Sequence, residues 1–220
     1  MPHIQIVLFD GFDPLDVVAP YEVFHAGGAA TGGAVTVELV SAEGPREVPS
    51  GSGPLTLRAT AALDPARADL VLVPGASGRL GEPEEGEEAG EYLSVRLRRA
   101  VETELSALLG AAMADPGTTV ATVCGGSVIL AYAGLLKGRY ATTHHLSADD
   151  LPAAGAHSVR ARVVDDGDLV TGAGVTSGLD LALHLLERES GPRIAHAVEE
   201  LFAHERRGIV WRAAGPEARL

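Results

Sequence analysis

The apolar positions of this chain follow two spacings, one typical of strands and the other of helices. Short apolar or β-branched runs bounded by turn residues predict strands. They lie at 3–9, 34–44, 68–75 and 118–123, in a hairpin over 47–60, and in short segments near 139–142, 159–164 and 168–171. Apolar residues at helical spacing predict helices at 14–27, 91–113, 126–136, 177–189 and 192–206. Because strands alternate with helices, the pattern predicts one α/β domain with a mostly parallel sheet covered on both faces.

Two segments depart from this regular pattern. Pro20 stands inside the first predicted helix and is expected to kink or divide it, because proline has no backbone N–H to donate. The segment 81–91, GEPEEGEEAGE, is acidic and rich in glycine, which predicts a solvated surface loop. We place the domain at residues 1–206 and a C-terminal tail at 207–220.

Composition narrows the classes of protein to which the chain can belong. Its 220 residues are 46% hydrophobic, which suits a single domain with a sizeable core. The formal net charge of -13 argues against a nucleic-acid partner, because phosphate binding needs positive charge. One cysteine cannot form an intramolecular disulfide, and the chain shows neither a signal-peptide pattern nor an apolar span of transmembrane length. We therefore expect a soluble cytoplasmic protein with no membrane partner.

The single cysteine, Cys124, stands at the corner between a predicted strand and a predicted helix, followed by Gly125 and Gly126. In parallel α/β sheets, ligand sites form at the carboxyl ends of the strands, where Cys124 falls. A thiol at this corner projects clear of the sheet, and the following helix N-terminus is expected to lower its pKa. The glycines are expected where a tight turn needs bare backbone. The alternative is a buried, inert core thiol, as most free cysteines are.

A cysteine nucleophile needs a group that moves protons, and several residues are candidates. Asp16 stands among apolar residues of the first helix, where burial would raise its pKa and let it donate a hydrogen bond. It could instead complement the helix dipole, and Glu22 is an equal candidate by residue type. His144 and His145 are adjacent, so they point in different directions and cannot both serve one site as strand neighbours. We expect no cofactor and no metal, since the closely spaced ligands of a structural zinc site are lacking.

Four stretches of the chain together resemble the DJ-1/PfpI superfamily. They are VLFDGFDPLDVVAPYEVF (7–24), DLVLVPGAS (69–77), TVCGGSVILAYAGLLKGRYATTHH (122–145) and VTGAGVTSGLDLALHLLER (170–188), the third being the most specific. The resemblance implies a single-domain flavodoxin-like three-layer sandwich of the class I glutamine amidotransferase type, with a mostly parallel sheet and a cysteine nucleophile elbow. The first helix is similar to the branch that holds isonitrile hydratases and the amidase-like domain of some AraC-type regulators. An AraC-type regulator itself is not expected, because nothing after about residue 205 could form a helix-turn-helix.

The resemblance also implies roles for individual residues. It makes Cys124 the nucleophile and Asp16 its acidic partner, Gly75, Ala76 and Gly125 an anion pocket, and His144 an auxiliary residue near the cysteine or a dimer interface. It further implies a homodimer that acts on a small molecule. Three features depart from the family pattern. First, isonitrile hydratases typically carry threonine, and PfpI-type proteases histidine, where this chain has Gly125. Second, the acidic loop lengthens the stretch before Cys124. Third, the tail differs from the C-terminus of the hydratases.

The function that the resemblance favours is an isonitrile hydratase, a lyase that adds water to an isonitrile through a thioimidate on Cys124. One alternative is a glyoxalase III-like enzyme that detoxifies methylglyoxal, although that activity usually pairs a glutamate with the cysteine. Another is a redox sensor without catalysis, in which the thiolate is oxidised to a sulfinate held by Asp16 and nearby amides. A fourth hypothesis is a binding module without catalytic activity.

Overall fold

The computed structural model describes residues 2–216, and eleven strands are assigned within that range. In chain order they are β1 (His3–Leu8), β2 (Thr36–Ser41), β3 (Arg46–Pro49), β4 (Thr56–Ala59), β5 (Ala61–Ala62), β6 (Leu70–Val73), β7 (Thr119–Val123), β8 (Tyr140–Ala141), β9 (His157–Ser158), β10 (Val163–Asp165) and β11 (Leu169–Gly172). Seven of them form the main sheet in the order β10-β11-β7-β6-β1-β2-β5. Every neighbouring pair in this sheet is parallel except β10 and β11. The strands β3 and β4 form the predicted hairpin, and β8 pairs with β9.

Helices cover both faces of the sheet. They are α1 (Pro14–Ala30), α2 (Leu93–Val101), α3 (Leu105–Ala114), α4 (Gly126–Tyr132), α5 (Asp150–Ala153), α6 (Ser177–Ser190) and α7 (Pro192–Phe202). One contacting group is formed by α1, α6 and α7, and the other by α2, α3, α4 and α5. The side chains of β6 are all buried, as expected for a strand covered on both faces. The predicted fold class, a single-domain flavodoxin-like three-layer sandwich with a mostly parallel sheet, is confirmed.

The first helix is continuous through Pro20, so the expectation that proline divides it is wrong. It begins after Asp13, whose side chain accepts a hydrogen bond from the Leu15 N–H at 2.9 Å. Pro14 stands at the first helical position, where a missing N–H costs nothing. The helix runs to Ala30, three residues beyond the predicted end.

One predicted helix is divided in the structure, and another ends early. The helix expected at 91–113 is divided into α2 and α3, because the Thr103 hydroxyl donates to Ala100 O at 2.8 Å and accepts from Leu105 N at 3.2 Å. These side-chain bonds compete with the helical backbone pattern. The helix expected at 126–136 ends at Tyr132, since Gly134 takes φ +75° and terminates it.

The predicted tail contacts the sheet at the described residues. Trp211 pairs with Val164 of β10, with one hydrogen bond of 2.9 Å from Trp211 N to Val163 O and another of 2.9 Å from Asp165 N to Trp211 O. Helix α7 ends at Phe202 rather than at 206. Residues 217–220 of the predicted tail lie outside the described residues.

The topology gathers the loops that matter for function at one edge. Because β1, β6 and β7 are parallel neighbours, the segments after them meet at the carboxyl edge of the sheet. These segments are 9–13, 74–78 and the corner at Cys124. Among residues 2–216, no helix is both long enough and apolar enough to cross a membrane.

Candidate active site

Cys124 follows β7 directly and takes a left-handed backbone conformation, with φ +55°. This region is costly for a residue that has a side chain, so the surrounding structure must hold it. The Cys124 N–H donates to Gly172 O at 3.0 Å, and its carbonyl accepts from Thr143 Oγ1 at 2.7 Å. The next residue, Gly125, has an ordinary φ of -68°. The strain therefore lies on the cysteine itself and not on the glycines that follow it.

The glycines are needed instead because backbones approach closely. A Cβ at Gly126 would overlap Val73 O at the end of β6, and one at Gly75 would lie 2.6 Å from Gly125 N. Bare backbone at these positions lets the end of β6 pack directly on the corner. The predicted elbow of strand, turn and helix is present, and its turn is locked against the neighbouring strand.

Asp16 is fully buried in the first turn of α1. Its Oδ2 accepts a hydrogen bond from the Gly75 N–H at 2.9 Å. Its Oδ1 is buried and has no hydrogen-bond partner among residues 2–216. The structure decides between the alternatives left open by the sequence: Glu22 is exposed to solvent, and Asp13 rather than Asp16 caps the helix. Asp16 is therefore the buried carboxyl that α1 brings to the corner.

The Asp16 carboxyl and the Cys124 thiol influence each other. Burial raises the pKa of Asp16 well above its usual range, and the charge of Asp13 adds to this. Burial likewise raises the pKa of the Cys124 thiol, and the charge of Asp16 raises it further, whereas the Gly125 N–H opposes both. The expected net lowering of the thiol pKa is thus wrong: the Gly125 N–H at the start of α4 does lower it, but desolvation and the charge of Asp16 outweigh that effect. Both groups favour their neutral forms.

A cavity of about 700 Å³ opens above Cys124. Its walls come from the segment after β6, from α2 and from the segment around His144; they are Asp13, Ala76, Ser77, Gly78, Leu80, Gly81, Glu82, Leu93, Ser94, Leu97, Arg98, Cys124, Gly125, Tyr132, His144, Leu146, Ser147, Asp150 and Val175. The volume and the mixture of leucines with a few polar groups are typical of a small-molecule site. The acidic loop is mostly exposed, as predicted, but Gly81 and Glu82 at its start line the cavity.

The three residues of the predicted anion pocket lie together but differ in what their amides do. The Gly75 N–H is occupied by Asp16, and Gly75 does not line the cavity. The Gly125 N–H lies near the sulfur of Cys124 and lowers the pKa of that thiol. In the described part of the chain, the N–H of Ala76 donates to no protein acceptor, and Ala76 lines the cavity. The amides of Ala76 and Gly125 are therefore those available to a ligand.

The two histidines face different spaces, as their adjacency predicts. His144 lines the cavity with Cys124, whereas His145 lines a separate groove of about 520 Å³. Their rings remain in contact, with centroids 4.2 Å apart. Burial lowers the pKa of His144, and His145 lowers it further, so His144 is neutral at neutral pH. Its Nδ1 accepts from the Leu146 N–H at 3.3 Å.

Several cavity residues were not singled out from the sequence. Leu93, Leu97 and Arg98 reach the site from α2, and Leu80 and Leu146 stand at its mouth, 66% and 60% exposed. The spacing of apolar residues in α2 indicated which face of the helix is apolar. It did not indicate that this face would line the cavity above Cys124. Within residues 2–216, no group of three or more His, Cys, Asp or Glu side chains could hold a metal ion.

A cysteine on a strained strand-to-helix corner, with a buried carboxyl beside it, defines an α/β sandwich protein with a cysteine elbow. The model of the DJ-1/PfpI family matches residues 2–188, and the chain belongs to this family. It is 33% identical over 198 residues to an isonitrile hydratase of Pseudomonas putida, an alignment that covers 90% of this chain and 76% of that protein. It is 30% identical over 171 residues to a deglycase of Thermococcus kodakarensis, covering 76% of this chain and 87% of the deglycase. Among solved structures, a ThiJ/PfpI family protein from Pseudomonas syringae superposes with a TM-score of 0.73 at 26% identity, covering 94% of this chain and 76% of that one.

Proposed function

We propose that this protein is an enzyme that adds water to an isonitrile and releases an N-substituted formamide. Cys124 is the nucleophile and Asp16 is the acid. The observation that carries the proposal is the fully buried Asp16 carboxyl, with its raised pKa, within interacting distance of the Cys124 thiol. The similarity to the isonitrile hydratase supports the same reaction class.

A neutral acid suits the chemistry of an isonitrile. The terminal carbon carries a lone pair, and it accepts a nucleophile once it has been protonated. A carboxyl that keeps its proton at neutral pH can deliver it to that carbon. An ionised aspartate could not, so the burial of Asp16 serves the first step directly.

The steps balance with the residues present. Asp16 donates a proton to the isonitrile carbon, and the Cys124 sulfur bonds to the same carbon while the thiol proton passes to the Asp16 carboxylate. The product is a thioimidate, R–N=CH–S, with Asp16 neutral again. Water then adds across the C=N bond, the nitrogen gains a proton, and the C–S bond breaks as the sulfur regains its own proton. The formamide R–NH–CHO leaves with its oxygen derived from water.

The cavity supports this assignment. Leu93 and Leu97 give an apolar wall for the R group, and the amides of Ala76 and Gly125 are available to the oxygen of the tetrahedral intermediate. Gly125 lacks the hydroxyl typical of the hydratases. A Cβ at Gly125 would lie 3.3 Å from Leu97 Cδ2. The Leu97 side chain therefore packs directly against the position at which a side chain on residue 125 would begin.

The test is the appearance of formamide from an aryl isonitrile, followed by chromatography. Wild type should turn over, while Cys124→Ala and Asp16→Asn should lose about a hundredfold or more in kcat. Glu22→Gln is the matched control, because it removes an exposed carboxylate from the same helix and should leave the rate unchanged. No turnover by the wild type, or full activity in both site variants, would refute the proposal.

A second candidate is the glyoxalase III-like or deglycase class, supported by the T. kodakarensis relative and by neutral His144 in the cavity. A neutral imidazole in the same cavity as the thiol could move a proton between the carbons of a hemithioacetal formed from methylglyoxal. The consumption of methylglyoxal, measured with the same variants and with His144→Gln, distinguishes this class of enzyme from an isonitrile hydratase. Activity that depends on His144 but not on Asp16 would favour this class.

We also propose a cytoplasmic homodimer, with the domain and tail bounded at residue 206. The apolar side chains of Leu15 and Val18 on α1 are 45% and 39% exposed. A second copy of the chain could cover them. Light scattering of the wild type and of Leu15→Ser measures this directly. A monomeric wild type would refute the dimer.

A further inference from the structure

Arg96 of α2 binds three separate loops through their backbone carbonyls. Its Nε donates to Gly90 O at 2.8 Å, its Nη1 donates to Gly51 O at 3.1 Å, and Nη1 also donates to Ser77 O. Gly90 closes the acidic loop, Gly51 lies in the turn between β3 and β4, and Ser77 follows β6. The forked guanidinium group, with five donors in a fixed geometry, suits this arrangement of carbonyls.

The loops pack around the arginine without side chains of their own. A Cβ at Gly11 would lie 2.6 Å from Arg96 Cδ, and one at Gly51 would lie 2.5 Å from Arg96 Nη1. Gly11 also has φ +92°, which only glycine adopts readily. These glycines form a socket that a smaller or differently shaped side chain would leave partly empty.

The role of Arg96 is neither a salt bridge nor contact with a substrate. Within residues 2–216 it is in no salt bridge, and it does not line the cavity above Cys124. Its neighbours Leu93 and Leu97 on the same helix do line that cavity. Its charge is therefore directed at backbone dipoles behind the site.

Two backbone hydrogen bonds connect the socket to the catalytic pair. Ser77 N donates to Gly11 O at 3.0 Å, and Asp13 N donates to Gly75 O at 2.9 Å. The first joins the segment after β6 to the segment after β1, and the second joins that same segment to the start of α1, which carries Asp16. Gly75 in turn bonds to Asp16 and packs on Gly125.

We propose that Arg96 is a positioning residue that clamps the segment 74–78 onto the corner at Cys124 and thereby keeps the thiol buried and next to Asp16. The proposal concerns the geometry of the site and holds whatever its substrate is. If the clamp is removed, the segment loosens, water reaches the sulfur, and the thiol reacts more readily with a soluble alkylating agent.

The test is the rate at which iodoacetamide alkylates Cys124, followed by intact mass between pH 6 and pH 10. The chain has one cysteine, so a single adduct reports this site alone. Arg96→Met should label about tenfold faster than wild type at pH 7, the equivalent of one pKa unit. Arg96→Lys should fall between them, because an ammonium restores the charge but not the fork. Arg99→Met is the matched control, since Arg99 is an exposed arginine of the same helix.

The charged and titratable groups around the thiol stay in every variant. Asp13 caps α1 and Asp16 lies in its first turn, Arg98 reaches the cavity from α2 beside the substituted residue, and Glu82, His144 and Asp150 line the cavity from loops and α5. Circular dichroism confirms that each variant is folded before labelling. A lower unfolding temperature with an unchanged alkylation profile in both Arg96 variants would overturn the proposal, as would equal acceleration in Arg99→Met. If Arg96→Met does not fold, the rate of Arg96→Lys decides: faster labelling supports the clamp and the wild-type rate contradicts it.

Discussion

Replacing Asp16 by asparagine tests the electrostatics of the site through stability alone. Asparagine has the shape of a protonated aspartate, so its Oδ1 can accept the Gly75 N–H bond that Asp16 accepts at 2.9 Å. What the substitution removes is the possibility of a negative charge in a fully buried position. We therefore expect Asp16→Asn to be more stable than wild type at pH 8.

The magnitude follows from the raised pKa. Each unit by which the folded-state pKa exceeds the unfolded value is worth about 1.4 kcal/mol at a pH above both values, and we expect a gain of at least that size. Burial raises the pKa of this carboxyl well above its usual range. The folded chain thus holds a proton that the unfolded chain releases above about pH 4, and stability from this group is present at low pH and is lost as the pH rises. The gain from asparagine should be of that size at pH 8 and smaller at pH 5.

The assay is urea unfolding followed by circular dichroism at pH 5 and pH 8. Glu22→Gln, on the exposed side of α1, should stay within about 0.5 kcal/mol of wild type at both values. Lower stability of Asp16→Asn at pH 8, or a gain that is larger at pH 5 than at pH 8, would contradict the reasoning.

Two further stability predictions come from other parts of the structure. Gly126→Ala should cost about 3 kcal/mol, because its Cβ would overlap a backbone carbonyl of β6. Gly125→Ala should cost no more than about 1 kcal/mol, because its Cβ would meet the Leu97 side chain at 3.3 Å and the Gly75 Cα at an ordinary contact distance of 3.5 Å. Chemical unfolding of both variants measures the difference, and equal losses would refute it. Burial would raise the pKa of Asp165, but hydrogen bonds from His184 and Arg212 hold it well below its usual range, so Arg212→Met should be destabilised most at neutral pH and converge on wild type as the pH falls below about 4. Unfolding free energies measured from pH 3 to pH 7 test this, and a gap that widens in acid would refute it.

Features encoded by neighbours in sequence could be predicted. The apolar run before Cys124 and the helical spacing after it placed the elbow, and the apolar context of Asp16 marked a carboxyl that would be buried. These inferences rest on local periodicity, which a sequence displays directly.

Features that depend on contacts between segments distant in sequence, or on a side chain bonding to its own backbone, could not be predicted from the sequence. The break at Thr103 comes from a side chain that bonds to its own backbone, which periodicity does not register. The raised pKa of Cys124 comes from burial under the segment after β6, and the three carbonyls bound by Arg96 lie up to 45 residues away from it in sequence. Helical spacing identifies the apolar face of α2 but not the loops that an arginine on it will meet.

The central claim is that Cys124 forms a covalent bond to substrate after Asp16 has supplied a proton. The most direct measurement is intact mass after mixing excess protein with an aryl isonitrile and quenching at early times. The account predicts a transient species heavier than the protein by the full mass of the isonitrile in the wild type, with no such species in Cys124→Ala and a strongly reduced yield in Asp16→Asn. Formamide production without any adduct, or with undiminished turnover in Cys124→Ala, would contradict it.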